Sequence, residues 1–468
     1  MDTTIKESKG FYKLSWLQRI GFGSGDFAQN LIFQTVMQYV SFFYGTIAGL
    51  PKSAVALLVF IPPIINIFMS MWLGTFVDKH NPKWGKYRSY LLFGGIPLMA
   101  FAVLCFYDGF PGSTVYYFAT YIVMCLLYTV VSLPYGSLFA SLTRDGREMD
   151  KLTSVRMVLA NLGGLTIAFG VPTMVAYFSP TNTIKGAGDA HAWFLTMSIL
   201  AVAGVALLIF CFSQSKERVV AKSDQAAKIK ASDMWEELTR NRPLRIVALF
   251  IFTAFAMMSI YNAAGAYYTT YFLGEEKLTG WFQGVGFLPA FLFLPFIPAI
   301  KKAIGKKQMF IWFLIVAIVG MALLYIVSTV PALRSQIWMI MVAQFIKSAG
   351  IIVATGYMWA LVPEVIAYGE WKTGKRMPGT INAVIGIVFQ LGMAIGLFFP
   401  NMLLELVGFV NKEGAKQTEL ALQGILWLVA VIPALLLFVL MFIMSKYELT
   451  DEKMDTINRE IESGHLNS

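Results

Sequence analysis

Apolar residues in this sequence fall into long runs of about twenty, the length of helix that crosses the ~30 Å hydrocarbon core of a bilayer. Such runs predict helices, because a helix satisfies its own backbone hydrogen bonds, whereas the strands of a membrane barrel alternate over about ten residues. The composition agrees: 57% of the 468 residues are hydrophobic and 14% are charged, against about 25% charged in a soluble domain. The sequence therefore predicts an all-α integral membrane protein.

Twelve runs along the chain are long enough to span a membrane. They lie near residues 20–46, 53–77, 89–107, 115–142, 152–178, 192–213, 246–273, 281–300, 309–330, 337–366, 379–407 and 420–445. A polar stretch after the sixth run divides them into two sets of six. The predicted domains are an N-terminal six-helix bundle (1–213), a cytoplasmic central loop (214–245), a C-terminal six-helix bundle (246–445) and a cytoplasmic tail (446–468).

The distribution of lysine and arginine predicts the orientation in the membrane. With the N-terminus inside, 29 of the 37 basic residues fall on the inner segments and six on the outer loops. Cytoplasmic loops of membrane proteins carry an excess of these residues. We therefore predict a multi-pass protein of the plasma membrane, or of the inner membrane in a Gram-negative cell, with both termini in the cytoplasm.

The two sets of six runs are similar in the placement of their charged loops. A basic loop follows the second run of each set, at 78–86 and 301–307, and a charged loop follows the fourth, at 143–148 and 368–376. Many secondary transporters are built from two such repeats, with the substrate site midway between them. The pattern predicts two pseudo-symmetric six-helix bundles.

Five charged residues lie inside the predicted spans: Asp26, Arg156, Lys347, Glu364 and Glu405, of which Glu405 is expected at the outer rim and is set aside. A charge in the membrane is costly and is by default a functional candidate. We expect Asp26, Arg156 and Lys347 to face a water-filled cavity and to bind a polar solute. Two structural alternatives remain open: Asp26 and Arg156 pair only to hold helices together, and Lys347 reaches the membrane surface along its flexible stem.

Several aromatic residues lie beside polar neighbours within the spans, where their rings suit the C–H faces of a sugar: Tyr128, Tyr135, Tyr267, Tyr268 and Trp359. Catalytic signatures are absent from the sequence. The three histidines lie in loops or in the tail, and no phosphate-binding Gly-Lys-Ser/Thr loop is present. We therefore predict neither an enzyme nor a metal or cofactor site, and transport driven by an ion gradient.

Five motifs resemble the glycoside–pentoside–hexuronide:cation symporters, a branch of the major facilitator superfamily. They are RIGFGSGDFAQNLIF (19–33), KWGKYR (83–88), YTVVSLPYGSL (128–138), LTSVR (152–156) and ALVPEVIAYGEWKTG (360–374). The first and third motifs are most similar to the xyloside/isoprimeverose branch. The resemblance implies a twelve-helix facilitator fold and sugar–cation symport by alternating access.

The resemblance also implies roles for individual residues. Asp26 matches an aspartate that binds sugar hydroxyls, Arg156 an arginine close to sugar and acid, and Thr129 a threonine near the cation site. Elsewhere this sequence departs from the family pattern. Asn66 and Ser70 replace the two sodium-ligating aspartates of the melibiose-type members, Ser132 replaces an aspartate, Gly136 a tryptophan and Gln390 a lysine.

These departures make sodium coupling doubtful, because a sodium site needs hard oxygen ligands with net negative charge. We expect proton coupling through Asp26, with Glu364 the less favoured carrier. The complete substrate-binding prediction is Asp26, Asn30, Thr129, Ser132, Tyr135, Arg156, Tyr267, Lys347, Trp359 and Gln390. The coupling prediction is Asp26, Asn66, Ser70 and Glu364.

A set of cytoplasmic charges resembles the residues that lock the inner face in the facilitator superfamily. The predicted gate residues are Asp78, Lys79, Arg144, Arg147, Glu370 and Arg376. The alternative is that they are ordinary surface charges on the inner side.

The predicted function is secondary active import of a glycoside or small oligosaccharide, favouring a xyloside such as isoprimeverose, coupled to protons. The alternatives are sodium coupling, an uncoupled facilitator, or transport of an anionic sugar such as a hexuronide or sulfonated sugar. A sensor that binds sugar without moving it is a rival of another class, but the central loop and the tail are too short for a signalling domain. The expected partners are a small-molecule sugar and the lipid bilayer, with no nucleic acid, and a monomer is expected to suffice.

Overall fold

A computed structural model describes residues 12–80, 82–107, 109–110, 112–143, 146–180, 190–218, 231–373, 377–410 and 416–463 of the chain. Every regular element within these ranges is a helix. The helices of the first half are α1 (Trp16–Thr35), α2 (Lys52–Lys79), α3 (Ser89–Leu104), α4 (Thr114–Leu142), α5 (Gly146–Phe178) and α6 (Ala190–Gln214). Beyond Thr35, α1 continues through two π-helical segments, Val36–Val40 and Phe43–Ile47.

The second half begins with a short helix in the predicted central loop. The elements are α7 (Ala231–Arg240), α8 (Arg242–Tyr267), α9 (Glu276–Phe296), α10 (Ile297–Ile304), α11 (Lys306–Thr329), α12 (Ile337–Met358), α13 (Leu361–Thr373), α14 (Pro378–Leu406), α15 (Glu419–Ser445) and α16 (Asp451–Ser463). A π-helical segment, Tyr268–Phe272, extends α8.

The predicted all-α membrane fold is confirmed. Ten segments in the described part of the chain are helical, long and apolar enough to cross a membrane. The two remaining predicted spans coincide with α1 and α3. The first carries Asp26 and several glutamine and asparagine side chains, and Ser89–Leu104 is a shorter apolar helix.

The chain forms two compact units. Unit 1 comprises Met1–Ala226, Thr269–Gly284 and Gly408–Gln417, and unit 2 comprises Ala227–Tyr268, Val285–Val407 and Thr418–Ser468. Two short segments of the second half of the sequence thus belong to unit 1.

In unit 1, alternate glycines let α1 approach three other helices closely. A Cβ atom on Gly21 would lie 2.4 Å from the Gln214 side chain of α6. One on Gly23 would lie 2.7 Å from Leu159 of α5, and one on Gly25 would lie 2.5 Å from the Tyr135 ring of α4. Because small residues allow membrane helices to pack backbone to backbone, this row places α1 at the centre of its neighbours.

In unit 2, α11 and α12 pack just as closely through a glycine on each helix. A Cβ atom on Gly320 would lie 2.2 Å from the backbone nitrogen of Lys347, and one on Gly350 would lie 2.4 Å from the backbone of Ala317. A large apolar core that includes Phe250, Phe310 and Met358 packs between the helices of this unit. The charge of Lys347 therefore lies deep within tightly packed helices.

Candidate substrate and coupling site

The predicted pair of charges in unit 1 forms a bidentate ion pair. Arg156 Nε on α5 donates to Asp26 Oδ2 on α1 at 2.6 Å, and Nη2 donates to Oδ1 at 3.2 Å. The Arg156 side chain is 24% exposed and that of Asp26 16%. The pair is therefore neither freely solvated nor sealed, and a small polar solute can compete for its hydrogen bonds.

Close packing of α1 against α5 brings the two charges together. In addition to the contact at Gly23, a Cβ atom on Gly163 would lie 2.9 Å from Asn30 Cβ and 3.0 Å from the carbonyl oxygen of Phe27. Arg156 lies two turns before Gly163 on α5, and Asp26 lies one turn before Asn30 on α1. The glycines therefore fix the distance that the ion pair spans.

Tyr135 completes the surroundings of the carboxylate. Its hydroxyl lies 2.7 Å from Asp26 Oδ2 and 2.7 Å from the carbonyl oxygen of Phe22, and it can donate its proton to either. The ring is 2% exposed and stacks on Phe22, with centroids 4.6 Å apart and planes inclined by 12°. The predicted residues Asp26, Tyr135 and Arg156 thus lie together.

Two aromatic residues that the sequence analysis missed lie at the same site. The Arg156 guanidinium carbon lies 4.8 Å from the Phe139 ring centroid, 5.2 Å from that of Tyr135 and 5.5 Å from that of Phe22. The sequence contained a signal for both in their spacing. Phe139 follows Tyr135 by four residues and Phe22 precedes Asp26 by four, so each shares a helix face with a predicted site residue.

The other predicted residues of unit 1 mostly bond to backbone carbonyls one turn earlier. Asn30 Nδ2 donates to the Asp26 carbonyl at 3.0 Å, Thr129 Oγ1 to that of Cys125 at 3.3 Å, and Ser70 Oγ to that of Asn66 at 2.7 Å. Ser132 is half-buried. The Asn66 Oδ1 atom is buried and has no hydrogen-bond partner in the described structure. Among the described residues, no group of three or more His, Cys, Asp or Glu side chains could hold a metal ion.

Lys347 is fully buried in unit 2, with its ammonium 4.1 Å from the centroid of the Tyr261 ring. The expectation that this side chain faces an open cavity is not met in this structure, in which Lys347 has no exposed surface. Tyr267 is also buried, and Trp359 is 42% exposed beside Phe255. Gln390 is half-buried, and its Oε1 atom has no partner among the described groups.

Glu364 is held in an ion pair at one end of unit 2. Lys306 Nζ donates to Oε2 at 2.6 Å, and the Tyr447 hydroxyl donates to the same oxygen at 2.9 Å. The Lys306 side chain is almost fully buried. Burial and then the neighbouring carboxylate raise the pKa of Tyr447, which keeps this hydroxyl protonated as a donor. The ion pair joins the beginning of α11 to α13, which suits a role in holding these helices together.

Most of the predicted gate residues cannot be placed. Arg144 and Arg376 lie outside the described residues, and so do the side chains of Asp78, Lys79 and Arg147. Glu370 lies on α13 and is half-buried.

An ion pair that the sequence analysis missed links the beginning of α1 to the beginning of α5. Arg19 Nη2 donates to Glu148 Oε2 at 2.6 Å, Lys151 Nζ donates to Oε1 at 3.0 Å, and the Leu14 backbone N–H also donates to Oε2. Burial acts to raise the pKa of Glu148, but the hydrogen bonds from Arg19, Lys151 and Leu14 outweigh it and hold the pKa at about 2.

The chain is similar in sequence to known transport proteins. The family described as MFS/sugar transport protein matches residues 21–451. An uncharacterized symporter of Bacillus subtilis, YnaJ, is 40% identical over 97% of this chain and 96% of its own. The glucuronide carrier protein homolog of Escherichia coli is 29% identical over 96% of each chain, and the isoprimeverose transporter of Lactiplantibacillus pentosus is 29% identical over 88% and 84%.

The chain also has a fold similar to that of a transporter of known structure. The crystal structure of the nucleoside transporter NupG matches with a TM-score of 0.63 and 12% identity, covering 92% of this chain and 100% of that one. At this identity the match concerns the arrangement of helices and not the substrate.

Proposed function

Since the chain belongs to the MFS/sugar transport protein family, we propose that it imports a glycoside or small oligosaccharide across the cell membrane by proton symport. The protein is a multi-pass membrane transporter of the major facilitator fold and not an enzyme. The identity of the sugar, the coupling ion and the roles of the site residues are the parts that we propose.

The observation that carries the proposal is the contact of Asp26, Arg156 and Tyr135. A carboxylate accepts hydrogen bonds and a guanidinium donates them in a fixed fork, so together they suit neighbouring sugar hydroxyls, which do both. The faces of Tyr135 and Phe139 add apolar area of the kind that packs against sugar C–H groups. The partial exposure of the pair leaves it accessible to such a ligand.

Asp26 is the favoured proton carrier. Its oxygens accept from Arg156, whose side chain is 24% exposed and can exchange these bonds for sugar hydroxyls, whereas Glu364 is bonded to Lys306, whose side chain is 2% exposed. On proton binding Asp26 loses its charge, and the Arg156 guanidinium becomes available to the sugar. The donors of Arg156 are then satisfied either by the charged Asp26 in the empty transporter or by sugar when Asp26 carries a proton, so sugar and proton cross together.

We favour a neutral glycoside over an anionic sugar, because sugar hydroxyls can accept the hydrogen bonds that Arg156 donates to Asp26 in the empty site. The name of the isoprimeverose transporter supports a xyloside, and that of the glucuronide carrier homolog supports the alternative. Competition for uptake by neutral glycosides or by uronates separates the two.

The test uses sealed vesicles containing the protein and a labelled xyloside, with an inward proton gradient, an inward sodium gradient or neither. We expect transient accumulation above equilibrium with the proton gradient alone. We expect Asp26→Asn to abolish accumulation, whereas Glu364→Gln, the matched change of an intramembrane carboxylate, still accumulates sugar if it folds. Accumulation driven by sodium, or unchanged accumulation in Asp26→Asn, would contradict proton coupling through Asp26. Equilibration without accumulation would indicate an uncoupled facilitator.

A further inference from the structure

A segment of the second half of the sequence, Thr269–Gly284, packs within unit 1, although the chain on both sides of it belongs to unit 2. We call this segment the strap. Each of its ends lies at an irregularity in a helix. At the first end, α8 becomes π-helical over Tyr268–Phe272. Just beyond the second end, α9 is interrupted at residues 286–287.

Both irregularities let the chain change direction without loss of a regular helix. Pro289 has no N–H to donate to the carbonyl oxygen of Val285, so α9 lacks a backbone hydrogen bond across its interruption. A π-helical turn holds an extra residue, and such turns are among the common causes of helix bends. The strap therefore has a point of bending at each end.

Two glycines of the strap form a hole that an aromatic side chain of α5 fills. Gly280 and Gly284 lie one turn apart and are both buried. A Cβ atom on Gly284 would overlap the ring of Phe169, and one on Gly280 would lie 3.3 Å from the Ala168 carbonyl oxygen. The Trp281 ring packs edge-on against Phe169, with centroids 5.3 Å apart. Because glycines let helices approach closely, the strap lies directly on α5.

The strap lies at the predicted outer end of the two helices that carry the Asp26–Arg156 pair. Its Tyr271 packs against Phe42 in the extension of α1, with ring centroids 6.5 Å apart. The Phe169 turn of α5 begins twelve residues after Arg156, which is about 18 Å further along the helix. The strap is therefore placed to cover the outer side of the candidate site.

Hydrogen bonds within the strap tie its beginning to its middle. The hydroxyl groups of Thr269 and Thr279 lie 2.7 Å apart, and the Glu275 N–H donates to the Thr269 carbonyl at 3.0 Å. Thr279 Oγ1 also lies 2.7 Å from the carbonyl oxygen of Glu276, to which it can donate. These bonds suit a segment that moves as one piece.

We propose that the strap closes the outer side of the candidate site in this conformation and leaves α5 when the site opens outward. It turns at the π-helical end of α8 and at the interruption of α9. A secondary transporter exposes its site to each side of the membrane in turn, so a cover on one side has to be removable. Phe169 sets the closed position and is a positioning residue. The inference depends on transport, and not on which sugar or ion is moved.

A disulfide that fastens the strap to α5 tests whether the strap has to leave. A Cβ atom on Gly280 would lie 3.5 Å from Phe169 Cα, so the two Cα atoms lie at most about 5 Å apart, within the range that disulfides span. In a background without the three native cysteines, Phe169→Cys is combined with Gly280→Cys. We expect oxidation to lower uptake of a labelled xyloside by about tenfold or more, and reduction to restore it.

The matched control is a disulfide within the strap, formed by Thr269→Cys and Thr279→Cys. It should leave uptake unchanged, because it does not join the strap to α5. Full uptake by the oxidised Phe169→Cys, Gly280→Cys protein would overturn the proposal.

An exchange of size between the ring and the hole tests the same contact without any sugar. Gly284→Leu should push the strap away from Phe169, and adding Phe169→Ala should make room for it again. The reporter is Gln34→Cys on α1, which is half-buried and shares a helix face with Asp26. In intact cells, we expect a membrane-impermeant thiol reagent to label the reporter severalfold faster in Gly284→Leu, and at the parent rate in the double variant.

Equal labelling of the parent and Gly284→Leu would overturn the strap, and so would faster labelling that Phe169→Ala does not reverse. If Gly284→Leu fails to fold, Gly284→Ala replaces it, because its one added carbon already overlaps the ring. The labelling needs neither sugar nor an ion gradient. An absence of xyloside uptake in the wild-type protein would therefore count against the proposed function alone.

Discussion

Two carboxylates of unit 1, Asp26 and Glu148, each accept hydrogen bonds from an arginine, but the balance of charge around them differs. Glu148 is bonded to Arg19, to Lys151 and to a backbone N–H, and its side chain is 6% exposed. Asp26 is bonded to one arginine and one neutral hydroxyl, and it is more exposed. The surplus of donors keeps Glu148 charged and suits a structural role. The greater exposure of the ion pair of Asp26 with Arg156 suits a group that exchanges a ligand.

The low pKa of Glu148 predicts a loss of stability in acid. Its pKa lies at about 2 in the folded protein, below the usual 4.5, so the stabilisation is complete above 4.5 and is lost as the pH falls from 4.5 through about 2. We expect the unfolding midpoint of the wild-type protein in detergent to fall across this window. Glu148→Gln should show a smaller fall over the same range, and an identical fall in both proteins would show that other groups control acid unfolding.

Among the helices, the approach of α1 to α5 decides whether Asp26 reaches Arg156. A Cβ atom on Gly163 would meet Asn30 and the Phe27 carbonyl, and backbone atoms do not move aside easily. Gly170, two turns further along α5, has only the end of the Thr166 side chain within 4 Å, at 3.9 Å. Substitution of Gly170 is therefore a control for substitution of Gly163 on the same helix.

We expect Gly163→Ala to destabilise the protein by about 1–3 kcal/mol, because it overpacks the contact, and to weaken sugar binding by separating the ion pair. Gly170→Ala should be neutral or stabilising, because alanine favours helix more than glycine does. Thermal unfolding in detergent and sugar binding by the same preparations test both. Equal behaviour of the two variants would mean that the α1–α5 contact does not control the site.

For the protein in its bilayer, the distribution of basic residues predicts which ends of the helices face the cytoplasm. Lys277 and Lys302 lie near opposite ends of the helical stretch from Glu276 to Ile304, and both are exposed. Because 29 of the 37 basic residues fall on the predicted inner segments, we expect Lys277 outside and Lys302 inside, together with both termini.

Single cysteines at these two positions test that orientation. In a background with Cys105, Cys125 and Cys211 replaced, we expect a membrane-impermeant thiol reagent to label Lys277→Cys in intact cells. Lys302→Cys should be labelled only after the membrane is opened. The reverse labelling pattern would show that the topology is the opposite of the predicted one. Labelling of both cysteines in intact cells would show that the two ends lie on the same side of the membrane.

The sequence was sufficient for the fold class because hydropathy is a local property: whether a run of residues can leave water depends on those residues alone. It also identified Asp26, Tyr135 and Arg156, whose contact the structure shows, because a charge within an apolar run is costly and the motifs resemble a known family. The extent of each helix was less predictable: the run predicted at 89–107 forms the shorter helix Ser89–Leu104, and the run predicted from residue 20 begins as a helix at Trp16.

What only the tertiary structure decided is which side chains meet. The contacts of Phe22 and Phe139 with Arg156, the Arg19–Glu148 pair, the attachment of Glu364 to Lys306 and the burial of Lys347 all join residues far apart in the chain. Such contacts depend on the rotation and closeness of whole helices, which the glycines of α1, α5, α11 and α12 determine by allowing backbones to approach. Hydropathy shows that a helix lies in the membrane, but not which face it presents to a neighbour. That choice is made by packing between helices.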